Sequence, residues 1–200
     1  MKLNLILFFL SFIFFAPSVH AHTFTGMVGF YDGLSHPVLG IDHFLAMVSV
    51  GVVSAQIGGR AIWSIPATFV LMMIVGGTIG MLIEVFFFDF EESAFVVVEY
   101  GIVLSVILLG LAIAIEKKIA TNIIMIFICI FGMCHGLAHG MEMPWAVNPI
   151  LFALGFASGT ATLHLFGVGI GSLAIKTKFS SIVLRIVGFG CALFGFSLLI

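Results

Sequence analysis

Charged residues are scarce in this chain: Lys and Arg number seven and Asp and Glu nine among 200 residues, which is 8% of the total. A soluble globular domain carries about 25% charged residues. Apolar residues make up 62%, and the mean hydropathy is +1.34. The composition therefore excludes a soluble domain and predicts an integral membrane protein surrounded by lipid. The formal net charge of −2 gives no reason to expect a nucleic-acid partner.

Cysteine is also rare. The three residues, Cys129, Cys134 and Cys191, all lie in apolar runs, and an odd number in such places argues against a disulfide framework. Cys134 stands beside His135 and is interpreted as a small packing residue, with a soft metal ligand as the alternative.

The phosphate-binding pattern G-x-x-x-x-G-K-[ST] does not occur, so ATP is not expected to drive the protein directly.

The first 21 residues have the pattern of a cleavable secretory signal. Lys2 supplies the positive charge, residues 3–15 the apolar core, and residues 19–21 a small-x-small cleavage site. The sequence therefore predicts a signal peptide at 1–21 and a mature six-span transmembrane domain at 22–200. The alternative is an uncleaved first transmembrane helix, for which the apolar core of 13 residues is short.

Six apolar segments follow, each long enough to cross the hydrocarbon core, which needs about 20 residues. They cover residues 37–56, 62–84, 94–115, 119–141, 147–173 and 180–200. The expected fold is an all-α membrane protein, a bundle of six transmembrane helices after a cleavable signal peptide. With the mature N-terminus outside, all basic residues of the mature chain fall on the inner face: Arg60, Lys117, Lys118, Lys176, Lys178 and Arg185. This distribution obeys the positive-inside rule and predicts a multi-pass protein of the bacterial inner membrane.

Glycines recur every four residues in several segments: Gly76 and Gly80, Gly132, Gly136 and Gly140, Gly155 and Gly159, and Gly167 and Gly171. Small residues at this spacing line one helical face and predict close approach of neighbouring helices. His135 and His139 each precede a glycine, so they are expected to border the packed face rather than lipid. Three spans in each half would make the halves inverted relative to each other, which is a common transporter plan.

Almost all the histidines lie within or at the ends of apolar segments, several of them beside acids. Ionisable groups are costly in hydrocarbon and therefore mark functional sites. In "HPVLGIDH", Pro37 suits the first position of a helix, which predicts His36 at the outer mouth of the first span. His43 would then return to nearly the same face about 10 Å deeper. Asp42 is expected either to bind a metal or to hold an imidazole tautomer.

A second group of donors lies in the fourth segment. His135 and His139 are one turn apart, a spacing that can chelate one transition-metal ion, and Glu142 lies one turn beyond them. Glu99 is expected in the same outer half, and His164 roughly 20 Å below the outer end of the fifth segment. For His164 a packing role stays open, and for Glu142 an interfacial one.

A mature N-terminal His22 would offer its amine and imidazole together as a chelate at the entrance. Imidazole and carboxylate donors without clustered thiolates suit Ni²⁺, Co²⁺ or Zn²⁺. Several partial sites fit a transported ion better than a closed cage, because conduction needs release. No permanently bound cofactor is therefore expected, and the divalent ion is the substrate.

The motifs His36-Pro37-x-x-Gly40-x-Asp42-His43 and His139-x-x-Glu142, with "ASGTATLHLFGVGIG", resemble the HupE/UreJ family of hydrogenase and urease accessory proteins. The likeness covers essentially the whole mature chain. It implies a secondary permease, not an enzyme, that carries nickel or cobalt into the cytoplasm for metalloenzyme maturation. It also implies that the matching residues bind the ion: His36, Asp42, His43, His135, His139 and Glu142, with Glu99 and His164 added.

Two other functions remain open at this stage. An intramembrane metalloenzyme could hold a fixed Zn²⁺ with an activated water on the same residues. A haem-binding electron carrier could take axial histidines from spans one, four and five.

Overall fold

Helices make up nearly all of the chain that the structure describes, because backbone polar groups surrounded by lipid must be satisfied within the segment itself. The computed structural model describes residues 29–86, 92–116, 119–143 and 147–199, and only the backbone of 92–94. Within these ranges the chain forms seven α-helices and no β-strand. They are α1 (Phe30–Leu39), α2 (Ile41–Ile57), α3 (Ala61–Phe86), α4 (Glu92–Ile115), α5 (Thr121–Met141), α6 (Pro149–Ala174) and α7 (Lys178–Ser197).

The all-helical prediction is confirmed for the described residues. Five helices, α3 to α7, are long and apolar enough to cross a membrane, and the pair α1 and α2 would be a sixth span if it crosses as one unit. Each of the five begins and ends within about three residues of a predicted segment. The predicted signal peptide and His22 lie outside the described residues.

The prediction that the first span is a single helix starting at Pro37 is wrong. Pro37 lies inside α1 rather than at a helix start, and α1 and α2 are bent by 85° at Gly40, which has an extended backbone. Pro37 has no N–H to donate to the carbonyl of Gly33, which weakens the last turn of α1. The carbonyl of Gly40 then accepts from the N–H of Phe44 at 2.8 Å and starts α2.

Glycine contacts hold the helices together, as the four-residue spacing predicts. A Cβ at Gly136 of α5 would overlap the carbonyl oxygen of Met73 in α3. In the same way Gly155 of α6 packs on the carbonyl of Phe30 in α1. Such contacts leave no room for a side chain, so the backbones of these pairs touch directly.

The glycine contacts of one half of the chain correspond to those of the other half. Gly80 of α3 lies against the carbonyl of Leu137 in α5, and Gly167 of α6 against the carbonyl of Val48 in α2. Exchanging α2 with α5 and α3 with α6 converts one contact into the other. The same exchange relates two further contacts to each other. In one, Gly140 lies against the carbonyl of Gly77, and in the other, Gly51 lies against the carbonyl of His164.

Helices α3 and α6, which the exchange converts into each other, are in contact where the Thr160 hydroxyl donates to the Met73 sulfur at 3.6 Å. Because the related helices run in opposite directions, the halves form an inverted repeat. One end of the bundle is where α2, α4 and α6 begin and α3, α5 and α7 end. We call it the site end, because the candidate site lies there.

Candidate metal site

Four imidazoles from three helices meet near the site end. His36 from the last turn of α1, His43 from the first turn of α2, and His135 and His139 from α5 form this histidine cluster. The ring centres of His36 and His43 are 6.2 Å apart, so the bend at Gly40 brings them together instead of placing them at different depths. His43 lies 5.3 Å from His135 and 4.6 Å from His139, ring centre to ring centre.

Asp42 fixes the tautomer of His43. A carboxylate oxygen can only accept, so the 2.8 Å contact between His43 Nδ1 and Asp42 Oδ1 places the hydrogen on Nδ1. The same oxygen accepts from the backbone N–H of His43 at 2.8 Å. In the neutral ring Nε2 is then left with its lone pair free. This is the arrangement in which a carboxylate orients an imidazole for a metal ion.

His135 is held in the same tautomer by its own helix. Its Nδ1 donates to the carbonyl oxygen of Phe131 at 2.9 Å, because a carbonyl can only accept. The residue is fully buried, which confirms that it does not face lipid. Its Nε2 therefore also carries a free lone pair.

His139 connects the cluster to α1. Its Nδ1 lies 3.0 Å from Nε2 of His36, so one of the two rings donates a hydrogen bond to the other. The same Nδ1 lies 3.7 Å from Oε2 of Glu142, whose side chain is partly exposed at the end of α5. His139 itself is buried, as the glycine stripe predicts.

Three nitrogen atoms in the cluster have no hydrogen-bond partner within the described residues: Nε2 of His43, of His135 and of His139. A buried polar atom left unpaired costs roughly 1–3 kcal/mol. The cluster is therefore a set of donors that a bound ligand would satisfy. Yet no three His, Cys, Asp or Glu residues in the described ranges are placed to hold one metal ion. Side-chain movement would be needed before three donors could share an ion.

His164 lies apart from the cluster, as its predicted depth requires. It is fully buried in α6, and neither of its ring nitrogens has a hydrogen-bond partner among the described residues. The ring of Phe69 contacts both, at 5.1 Å from His164 and 5.3 Å from His135 by ring centres. His164 is thus linked to the cluster through contacts with the same aromatic ring.

Glu99 lies half-buried in α4, two residues before Gly101, which packs on Cys134 of α5. This places Glu99 at the level of the α5 histidines, as expected. The short distance between Gly101 and the Cys134 side chain agrees with a packing role for that cysteine.

Two phenylalanines that contact the cluster are not among the site residues predicted from the sequence. Phe156 of α6 lies 4.8 Å from His139 and 5.8 Å from His36, ring centre to ring centre. Phe152, one turn earlier, stacks on Phe156 at 6.1 Å. Apolar residues in a membrane helix look alike in sequence, so only the four-residue spacing on one face of α6 could have indicated this pair.

A cleft of about 60 Å³ between α3, α5 and α6 reaches His139, and three methionines, Met73, Met81 and Met143, line part of it. Its volume is sufficient for a few water molecules. The cleft therefore leads to one residue of the cluster, His139.

Two comparisons with known proteins agree on what the chain is similar to. Residues 10–198 match the family described as HupE / UreJ protein. The chain is 37% identical over 185 residues to the protein named "Protein HupE" of Rhizobium leguminosarum bv. viciae, covering 92% of each chain. No solved structure matches.

Proposed function

Because the chain belongs to the HupE / UreJ family, and is a helical multi-pass membrane protein, we propose that it is a secondary permease for Ni²⁺, with Co²⁺ as the second substrate. It carries the ion across the bacterial inner membrane into the cytoplasm, where a hydrogenase or urease receives it during maturation. The metal is cargo, and the protein holds no permanent cofactor and performs no catalysis.

The observation that carries this proposal is that the rings of His43, His135 and His139 lie close together, each with a buried Nε2 atom that has no hydrogen-bond partner among the described residues. Neutral imidazole nitrogens suit Ni²⁺ and Co²⁺, and the absence of clustered thiolates from the sequence disfavours Cu⁺. Ligands that must move before they can share an ion bind it less tightly than a rigid cage. Moderate binding is what a conducting site requires.

Two carboxylates at the rim support capture from the site end. The side chains of Asp42 and Glu142 are 26% and 29% exposed, whereas the imidazoles of His43, His135 and His139 are buried. A hydrated cation would meet negative charge first and imidazole nitrogen next. His22, at the mature N-terminus, adds a chelate at the entrance if the signal is cleaved after Ala21.

The basic residues support an orientation with the site end outside. Arg60 lies between α2 and α3, Lys176 follows α6, and Lys178 and Arg185 lie in the first turns of α7. All four are at the end opposite the site end, and the positive-inside rule assigns that end to the cytoplasm. The ion then enters at the histidine cluster and leaves past His164.

Radioactive nickel accumulation by cells that express the chain tests the proposal. Uptake above that of cells without the chain, saturable and reduced by excess Co²⁺, is the expected result. Purified protein that retains one Zn²⁺ through chelator treatment and shows no flux in liposomes would instead indicate a metalloenzyme. A Soret band in the purified protein would indicate a haem carrier.

A matched pair of variants strengthens the test. Asp42→Asn preserves the shape of a rim acid but removes its charge, whereas Glu116→Gln makes the corresponding change at the opposite end, where Glu116 accepts from Ser181 at 2.5 Å. Only the first should reduce uptake. Equal loss in both would contradict capture at the site end.

A further inference from the structure

Phe69 contacts both the histidine cluster and His164. Its ring makes a T-shaped contact with His135 at 5.3 Å and another with His164 at 5.1 Å. The side chain is completely buried. No other aromatic contact in the described residues joins the histidine cluster to His164.

The backbone around Phe69 is held firmly. Gly132 of α5 packs against its carbonyl oxygen, and Met73, one turn later, is in contact with Gly136. Because α3 and α5 touch through their backbones here, the helix cannot withdraw without breaking this contact. The ring itself is the part that can move.

An apolar ring between two sets of polar donors is a barrier to a divalent ion. It offers no lone pair to replace the water lost from the ion. Apolar constrictions of this kind gate by excluding water. His164 beyond the ring has two unpartnered nitrogens, which is consistent with a second donor site closed off from the first.

The inverted repeat gives an independent argument. Phe69 lies one turn before Met73, and Phe156 one turn before Thr160, the two residues in contact where α3 and α6 meet. Exchanging the halves therefore places Phe69 and Phe156 in equivalent positions. Phe156 contacts His36 and His139 of the cluster. The cluster is thus in contact with two aromatic rings that the repeat relates to each other.

We infer that Phe69 is the barrier residue of the ion path: it separates the histidine cluster from His164, and an ion passes only when its ring moves aside. This inference rests on the proposed function for its flux measurements. In this inference Phe69 controls the rate of ion passage and the discrimination between metal ions. It does not set the affinity of the histidine cluster for the ion.

Flux into liposomes that contain a divalent-ion indicator tests the inference. Phe69→Ala should raise Ni²⁺ influx several-fold and admit Mn²⁺, which imidazole binds more weakly than Ni²⁺. Phe69→Trp should abolish Ni²⁺ influx while equilibrium binding of Ni²⁺ to the purified protein is unchanged. Phe69→Leu, a smaller change in volume, should lie between wild type and Phe69→Ala and covers the case in which the alanine variant does not fold.

The matched control is Phe194→Ala in α7, a helix that contributes no residue to the histidine cluster, where the ring packs against the core. It should leave influx and Mn²⁺ exclusion unchanged. Wild-type influx and Mn²⁺ exclusion in both Phe69→Leu and Phe69→Trp would overturn the inference. So would equal losses of binding and influx in all Phe69 variants, because a merely structural residue would produce them.

A second readout does not depend on nickel transport. His164→Cys is made in a chain whose cysteines, Cys129, Cys134 and Cys191, are replaced by alanine, and aminoethyl methanethiosulfonate is added at the site end. The thiol should react slowly with Phe69 in place and several-fold faster with Phe69→Ala. Equal rates would overturn the barrier. If the wild type carries no nickel, the proposed function fails, while this labelling still decides on Phe69.

Discussion

At the scale of single residues, the free lone pairs of the cluster are set by what lies behind each ring. Asp42 holds the hydrogen of His43 on Nδ1, and the carbonyl of Phe131 does the same for His135. Both rings therefore present an unprotonated Nε2. The sequence predicted the orienting role of Asp42 as one of two possibilities, because an acid beside a histidine is visible in sequence. It could not predict the role of Phe131, because every residue has a carbonyl.

Replacing Asp42 tests this orienting role. In Asp42→Asn the side-chain amide can donate to His43 Nδ1, which lets the ring adopt the other tautomer and turns the lone pair away from the cluster. Loss of such an orienting partner lowers metal affinity by roughly 10- to 100-fold. Nickel binding by the purified protein and uptake by cells should both fall, with membrane abundance unchanged. Near wild-type binding would show that Asp42 does not orient the ring.

His139 and His164 should behave differently when each is replaced by alanine. His139→Ala removes a donor from the cluster and should abolish both nickel binding and uptake. His164→Ala removes a donor beyond Phe69, so binding should remain while uptake falls. Equilibrium dialysis and uptake measured on the same preparations separate the two. Loss of binding in His164→Ala would mean that the two donor groups act as one site.

At the scale of helices, hydropathy located α3 to α7 correctly, but it did not reveal that the first predicted span consists of two helices, α1 and α2, joined by a sharp bend. A long apolar run predicts that a segment lies in the membrane, but it does not tell whether the segment is straight. Pro37 is equally compatible with a helix start and with a helix interior near its end. The difference is decided by packing, because α1 contacts α6 through Gly33 and Gly155. Partner surfaces of this kind are not visible in the sequence of α1 alone.

The glycine contacts between helices lead to a prediction about stability. Gly136→Ala would place a Cβ against the carbonyl of Met73 and force α3 and α5 apart, at a cost of roughly 1–3 kcal/mol. Thermal unfolding of the purified protein should occur at lower temperature, and membrane abundance should fall. Gly190→Ala in α7 is the matched control, because a Cβ there meets nothing within 4 Å. Equal destabilisation by both changes would argue against close α3–α5 packing.

At the scale of the whole molecule, the inverted repeat explains why the donors are concentrated at one end. The exchange of halves relates the glycine contacts but not the histidines: Gly77 is the counterpart of His164. Both halves therefore supply the same framework, while the ligands were placed on it asymmetrically. The sequence suggested inverted halves only through the number of spans, since the matching glycine contacts appear once the helices are packed. In the proposed permease, an asymmetric donor set would give the ion path a loading end and a release end.

The orientation of that path can be measured with two exposed residues at opposite ends. Tyr31 lies in the first turn of α1 and is 58% exposed, and Lys176 is exposed just after α6. In a chain without its native cysteines, a membrane-impermeant maleimide should label Tyr31→Cys in intact spheroplasts. It should label Lys176→Cys only after the membrane is opened, because the positive-inside rule predicts that the basic end faces the cytoplasm. The reverse pattern would turn the histidine cluster toward the cytoplasm and make the protein an exporter in this scheme.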